Sequence, residues 1–244
     1  MEKIIGINAV TEALESGRRP LESLYLARSR AGIGKIRYLF KLAVSNGITC
    51  KYVPDDYLDR LAGRGHQGVV ALIGTIRYED WSEATKTLRQ PVIYIDRVTD
   101  CGNLGAILRS AAAFGLEWVL LSSKESAPVN ETVVKTSAGG SEYLRYARVE
   151  SPLRMLEHFK QEGYLVLAAE ASGVPLEKTV LSHADKVLLL LGGEDKGVRT
   201  SLLERSDHIV SIPLPGRISS LNVSVAAGIL LRELCARLTH LPVE

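Results

Sequence analysis

Hydrophobic spacing divides the chain into two α/β stretches. In the first, Val10, Ala13 and Leu14 fall at helical spacing within Asn8 to Glu15, and Leu24 to Leu26 reads as a short strand. Ile36, Leu39, Phe40 and Ala43 mark an amphipathic helix, and Ile48 to Val53 alternates as a strand. Pro54-Asp55-Asp56 has the chemistry of a helix start, since proline suits the first turn and acids complement the positive end of the helix dipole. Val69 to Ile73 then closes a small α/β layer over residues 1–74.

Apolar periodicity weakens over residues 75–90, which predicts a linker with a short helix around Trp81 to Leu88. Beyond Pro91 strands are predicted at Val92 to Val98, Trp118 to Ser122, Arg145 to Val149, Leu165 to Ala169, Val187 to Leu191 and His208 to Ile212. Helices fall between them at Leu104 to Phe114, Pro152 to Gln161 and Val198 to Arg205. Such alternation predicts an α/β domain over 91–244, a mainly parallel, doubly wound sheet covered on both faces. The segment Leu221 to Leu238 is helical with apolar residues over most of its circumference, and so is expected to be buried in its own domain or against a second subunit.

Bulk composition narrows the classes. With 46% hydrophobic and 24% charged residues the chain is a folded domain protein rather than a disordered or fibrous one. No apolar run approaches the roughly 20 residues of a bilayer span, and the start Met1-Glu2-Lys3-Ile4-Ile5-Gly6 has no signal-peptide apolar region, so a cytoplasmic protein without a membrane is expected. Cys50, Cys101 and Cys235 are odd in number and far apart, and are expected to be reduced. His66, His158, His183, His208 and His240 share no ligand spacing, so no metal is expected. The net charge of +2 is unevenly placed: up to Gly74 there are 11 Lys and Arg against 7 Asp and Glu, and beyond it 19 against 21. The basic first third fits either a solvated surface or a phosphate-binding face.

Candidate chemistry sits in three polar, glycine-punctuated blocks, each following a strand-like run. They are Asn103-Leu104-Gly105 with Arg109 six residues after the Asn, Gly193-Glu194-Asp195-Lys196-Gly197, and Ser220-Leu221-Asn222 after Ile212-Pro213-Leu214-Pro215-Gly216. Ligands of open α/β sheets collect outside the carboxyl ends of strands, so the three loops are predicted to converge on one pocket. The first block is not a dinucleotide fingerprint, because it lacks G-x-G-x-x-G and no acid ends the strand Trp118 to Leu121. Arg109 precedes Ser110-Ala111-Ala112-Ala113 and is either a site group or the partner of a carboxylate. Glu194 ends the most hydrophobic strand and needs a partner, for which Arg109 is the natural candidate. Ser219 or Ser220 is placed to cap the last helix, and Asn222 to offer an amide to a ligand. There is no Ser-His-Asp pattern and no P-loop.

Together the blocks resemble the three motifs of the SpoU (TrmH-type) RNA ribose 2′-O-methyltransferases of the knotted SPOUT class. Gly6-Ile7-Asn8-Ala9-Val10 and His66-Gln67-Gly68-Val69-Val70-Ala71 resemble the L30e-like substrate-binding domain of the bacterial 23S rRNA guanosine 2′-O-methyltransferases, and Val134-Lys135-Thr136-Ser137-Ala138-Gly139-Gly140 is of the family type. Cys101 stands where many relatives have proline. The resemblance implies residues 1–74 as an RNA-binding domain and 91–244 as a methyltransferase domain with a C-terminal trefoil knot. It implies S-adenosylmethionine held around Leu191, Gly192, Gly193, Ile212, Leu214, Ser220, Leu221 and Asn222, with Asn103, Arg109, Glu194, Ser220 and Asn222 as catalytic residues. It also implies a homodimer and an RNA substrate, ribosomal before transfer RNA. Two rival classes are a non-catalytic RNA-binding protein, against which Asn103, Arg109, Glu194 and Asn222 argue, and an enzyme of small nucleotides, which the basic N-terminal stretch disfavours.

Overall fold

A computed structural model of the chain describes residues 2–87, 90–181 and 186–239, so Leu88, His183 and His240 lie outside the described residues. The chain folds as two compact units, one of Met1–Arg77 with Val129–Tyr143 and one of Tyr78–Pro128 with Leu144–Glu244.

The first unit is built on a four-stranded sheet in the order β1-β4-β2-β3. Strand β1 (Glu2–Ile5), which the periodicity of the sequence did not mark, runs antiparallel to β4 (Val69–Ile73). Strand β2 (Leu21–Ala27) is antiparallel to β4 and parallel to β3 (Thr49–Val53). Three helices complete the layer: α1 (Ile7–Ser16), α2 (Gly34–Ser45) and α3 (Asp55–Ala62). The period of two explains why β4 reads as one apolar run. Val69, Ala71 and Ile73 enter the core with Val10, Leu39 and Leu26, whereas Val70 turns to the opposite face with Ile5, Ala27 and Leu58.

Residues 129–143 belong to this unit although they are remote in sequence. They form α5 (Glu131–Thr136), capped by the Asn130 side chain, and a short 3-10 turn at Gly140–Tyr143. Val134 is 1% exposed and lies within the first unit's core. Arg19, itself buried, donates to Glu142 at 2.9 Å and to the Gly74 carbonyl at 2.8 Å and also pairs with Glu2. Burial pushes the Glu142 carboxyl above its ordinary range, outweighing the neighbouring guanidinium, and its second oxygen has no hydrogen-bond partner among the described residues.

The second unit carries a seven-stranded sheet, parallel throughout, in the order β11-β9-β10-β6-β7-β8-β5. The strands are β5 (Tyr78–Glu79), β6 (Val92–Asp96), β7 (Trp118–Ser122), β8 (Arg145–Val149), β9 (Leu165–Pro175), β10 (Val187–Gly192) and β11 (His208–Ser211). Helices α4 (Cys101–Ala113), α6 (Pro152–Gln161), α7 (Thr200–Leu203) and α8 (Val223–Thr239) cover it. Met155, Leu156, Phe159 and Leu202 pack on Tyr94, Leu120, Leu188 and Leu190 on one face, and the alternate residues Leu189 and Leu191 are equally buried on the other. Two expectations need correction. Within the predicted linker, Tyr78 and Glu79 instead form the sheet's edge strand, while the short helix expected around Trp81 is present as a 3-10 helix over Trp81–Lys86, where Trp81 stacks on Phe159. The predicted helix Val198 to Arg205 shrinks to the four residues of α7.

Candidate active site

At the carboxyl ends of β9, β10 and β11 the second unit opens into a cavity of about 620 Å³. Leu191, Gly192, Gly193, Ile212, Leu214, Ser220, Leu221 and Asn222 all line it. The strand order reverses beside β10, the topological position where open α/β sheets bind ligands.

The three blocks meet through amides. Asn103 Nδ2 donates to Glu194 Oε1 in a close contact. Asn222 Nδ2 donates to the same Glu194 oxygen at 3.0 Å and to Asn103 Oδ1 at 3.0 Å. Local chemistry holds each corner. Asp100 caps α4 by accepting from Asn103 N at 2.7 Å, and Cys101 occupies the first helical position, where proline is common in helices. Asn222 Oδ1 accepts from Ser224 N at 2.9 Å and from Ser224 Oγ at 2.6 Å, so Asn222, not Ser219 or Ser220, caps the start of α8. Ser220 is instead exposed at the cavity wall.

Glu194 rides on a turn that tolerates no side chain at its start. A Cβ on Gly192 would lie 2.0 Å from Gly197 C, and one on Gly193 2.2 Å from Arg97 O. The turn is closed by Gly197 N donating to Gly193 O at 2.8 Å. Asp96, fully buried at the end of β6, underpins it by accepting from Arg199 N at 3.1 Å, while the Arg97 guanidinium donates to the Gly197 carbonyl at 3.2 Å. None of Asp96, Arg97 or Arg199 stands out in the sequence, except that Asp96 breaks the apolar run Val92 to Ile95. Glu170 on β9 is another lining residue that sequence reading missed, and its signal was a carboxylate at the end of a predicted strand. Glu170 and Glu194 are the charged groups of the cavity, and no Lys or Arg is among its lining residues. Such a pocket favours a ligand carrying positive charge and offers acceptors for hydroxyl donors.

Arg109 departs from expectation. It is exposed, its side chain makes no hydrogen bond or ion pair among the described residues, and it does not line the cavity; Glu194 is satisfied by the two asparagines instead. Helical geometry accounts for this, because six residues from Asn103 amount to about 240° around α4 and about 9 Å along it.

A parallel α/β unit with an acidic cavity at its switch point is the architecture of a protein that binds a small ligand. Residues 90–232 match the SpoU rRNA methylase family and residues 3–79 the RNA 2′-O ribose methyltransferase substrate-binding family, and the chain belongs to the SpoU methylases. It is 34% identical over 235 residues to the putative TrmH family tRNA/rRNA methyltransferase YacO of Bacillus subtilis (strain 168), spanning 94% of this chain and 93% of that protein. A putative TrmH family tRNA/rRNA methyltransferase of Staphylococcus aureus (strain COL) is 32% identical over 238 residues, with 94% of each chain covered. Among solved structures, the SpoU methyltransferase AviRb from Streptomyces viridochromogenes in complex with AdoMet superposes with a TM-score of 0.81 at 25% identity, covering 98% of this chain and 90% of that one.

Proposed function

We propose that the chain transfers the methyl group of S-adenosylmethionine to a ribose 2′-hydroxyl in structured RNA, with a guanosine of 23S rRNA as the substrate. The observation that carries the reading is the cavity itself, whose two carboxylates and lack of cations complement a sulfonium and whose backbone-rich wall suits an adenosyl group. AviRb, bound to AdoMet, supports the cofactor, and the match over residues 3–79 supports the RNA. When bound, the cofactor supplies an electrophilic methyl group, so the protein's task is to align a hydroxyl with it and ease departure of the proton. Asn103, Glu194 and Asn222 hold the pocket's shape and orient the nucleotide, with Ser220 beside them. Choice of RNA over DNA follows from the nucleophile, which DNA lacks. Comparing 2′-O-methyls on total RNA from a deletion strain and its parent tests the reading. Loss of one guanosine methyl on 23S rRNA is expected, loss from a tRNA would redirect the substrate, and an unchanged map would overturn the activity.

The same reading makes the enzyme a cytoplasmic homodimer in which a second copy supplies Arg109. Support comes from that residue's place outside the cavity and from exposed apolar positions on α8, Val225 at 51% and Ile229 at 44%. Ile229 borders a groove of about 400 Å³ with Phe114 and Pro213. Leu231, by contrast, is fully buried within its own chain and is no interface position. Ile229→Glu is expected to give monomers with impaired methyl transfer and an unchanged fold. Sedimentation showing wild-type monomers with full activity would rule the dimer out.

A further inference from the structure

The family-type stretch Val134 to Gly140 has no part in the cavity, yet it is built into the first unit. There it lies beside a loop with an unusual backbone. Between α3 and β4 the chain runs Gly63-Arg64-Gly65-His66-Gln67-Gly68, and φ is positive at Gly63 (70°), Gly65 (94°), Gln67 (56°) and Gly68 (83°). Gln67 holds this left-handed conformation without being glycine, which costs free energy and requires outside support. Support comes from three sides. Buried His66 accepts from Gly68 N at 2.9 Å through Nδ1 and faces Asp59 at 3.2 Å through Nε2. Gln67 Oε1 accepts from Ile7 N at 3.1 Å, and Gln67 O accepts from Arg30 Nη1 at 3.2 Å.

Four cations collect around this loop. Arg28 and Arg30 form the 3-10 turn after β2, packed against Gly68, where a Cβ would fall 2.6 Å from Arg30 Cδ. Arg64 is in the loop itself, and Lys135 reaches it from α5, with Nζ 3.3 Å from the point where a Gly65 Cβ would stand. All four are exposed and none makes an ion pair among the described residues. Of the acids of neighbouring α3, Asp56 pairs with Arg60, while Asp55 accepts from Ser29 within the Arg28–Arg30 turn and Asp59 faces His66, so the four cations outnumber the two carboxylates that border them. The unit as a whole holds twelve Lys and Arg against seven Asp and Glu in residues 1–77, and one against two in 129–143, a surplus of four.

We infer that Arg28, Arg30, Arg64 and Lys135 form one composite phosphate-contacting face for the RNA backbone, and that Lys135 belongs to it although it lies within the span of the methylase match. The rigid, side-chain-poor loop lets a sugar-phosphate strand approach closely while the four cations neutralise its charge. This rests on the RNA substrate proposed above. Unmodified transcripts of 23S rRNA and of a tRNA are the probes, titrated by filter binding from low to high salt, with methyl transfer to the same transcripts measured in parallel. The full-length variant Arg64→Ala/Lys135→Ala should lower the slope of log affinity against log salt by about 1.4 to 1.8 and weaken binding at 0.1 M salt roughly 10- to 50-fold, because each lost phosphate contact releases about 0.7 to 0.9 fewer counterions. Its affinity for S-adenosylmethionine and its unfolding midpoint should not move. Arg18→Ala/Lys41→Ala removes the same charge from exposed positions of the unit outside this loop cluster and should leave the slope within error. Equal slope changes in both pairs, or none in the first, overturn the composite face while active wild-type enzyme leaves the activity standing. A wild-type chain that binds and methylates neither transcript overturns both.

Discussion

Arg109→Ala should reduce methyl transfer by on the order of 10²- to 10⁴-fold while leaving S-adenosylmethionine affinity within a few-fold. The reasoning is geometric. The cavity proposed to hold the cofactor is lined by backbone and side chains of the second and third blocks and not by Arg109, so binding has no reason to change. An exposed guanidinium without an ion pair among the described residues contributes little to folding, so a loss of activity could not be ascribed to unfolding. A guanidinium is a poor base at neutral pH, so the role proposed for it is to position the ribose hydroxyl and stabilise charge. Arg109→Lys should fail to rescue, because a point charge does not reproduce a planar fork of donors. Single-turnover assays at saturating cofactor are the measurement, and near-normal turnover in either variant would remove Arg109 from the mechanism.

Arg19→Met should destabilise the first unit by about 3 to 5 kcal/mol, the cost of leaving a buried carboxylate without its counter-charge. Glu142 would be left inside the unit with Glu2 as a like-charged neighbour and no cation. The pH dependence has a definite sign. Burial already holds the Glu142 carboxyl above its ordinary value of 4.5, so its contribution to stability is fully present below that value and is lost as pH rises through the raised one. Removing Arg19 enlarges the upward displacement. The deficit of the variant should therefore be small in acid and widest at neutral pH, and Glu142→Gln added to Arg19→Met should recover much of it. Urea midpoints from pH 4 to pH 8 would decide, and a deficit independent of pH would show that packing rather than charge explains the loss.

The large sheet was legible because its central strands are near-continuous apolar runs. Val92–Asp96 and Trp118–Ser122 fall where the pattern puts them, since parallel strands buried on both faces are built almost wholly of hydrophobic residues. The meeting of Asn103, Glu194 and Asn222 was legible for a related reason: each follows a strand whose carboxyl end the topology brings to one rim. What stayed hidden is what only three-dimensional neighbours decide. Strand β1 has four residues and α5 six, too few to establish a period, and both are fixed by partners distant in sequence, β4 for the one and the core around Val134 for the other. Arg109 was misplaced as the partner of Glu194 because a charge count pairs the nearest opposite sign, whereas the helix turns its side chain away and two neutral amides fill the position. Asp96 escaped notice because a single buried acid carries no spacing, and its importance lies in the backbone it grips.

The attachment of residues 129–143 to the first unit bears on how the chain acquires its structure during synthesis. The ribosome releases residues 1–77 first, but at that stage the core lacks Val134 and Arg19 lacks Glu142. That layer cannot complete its packing until residue 143 has left the exit tunnel, by which time β6 and β7 of the other unit are also free to pair. At synthesis rates of about 5 to 20 residues per second, the wait lasts several seconds. The first unit is therefore completed only after synthesis of the second has begun, and a nascent chain arrested before residue 129 should remain open to protease in its first 77 residues.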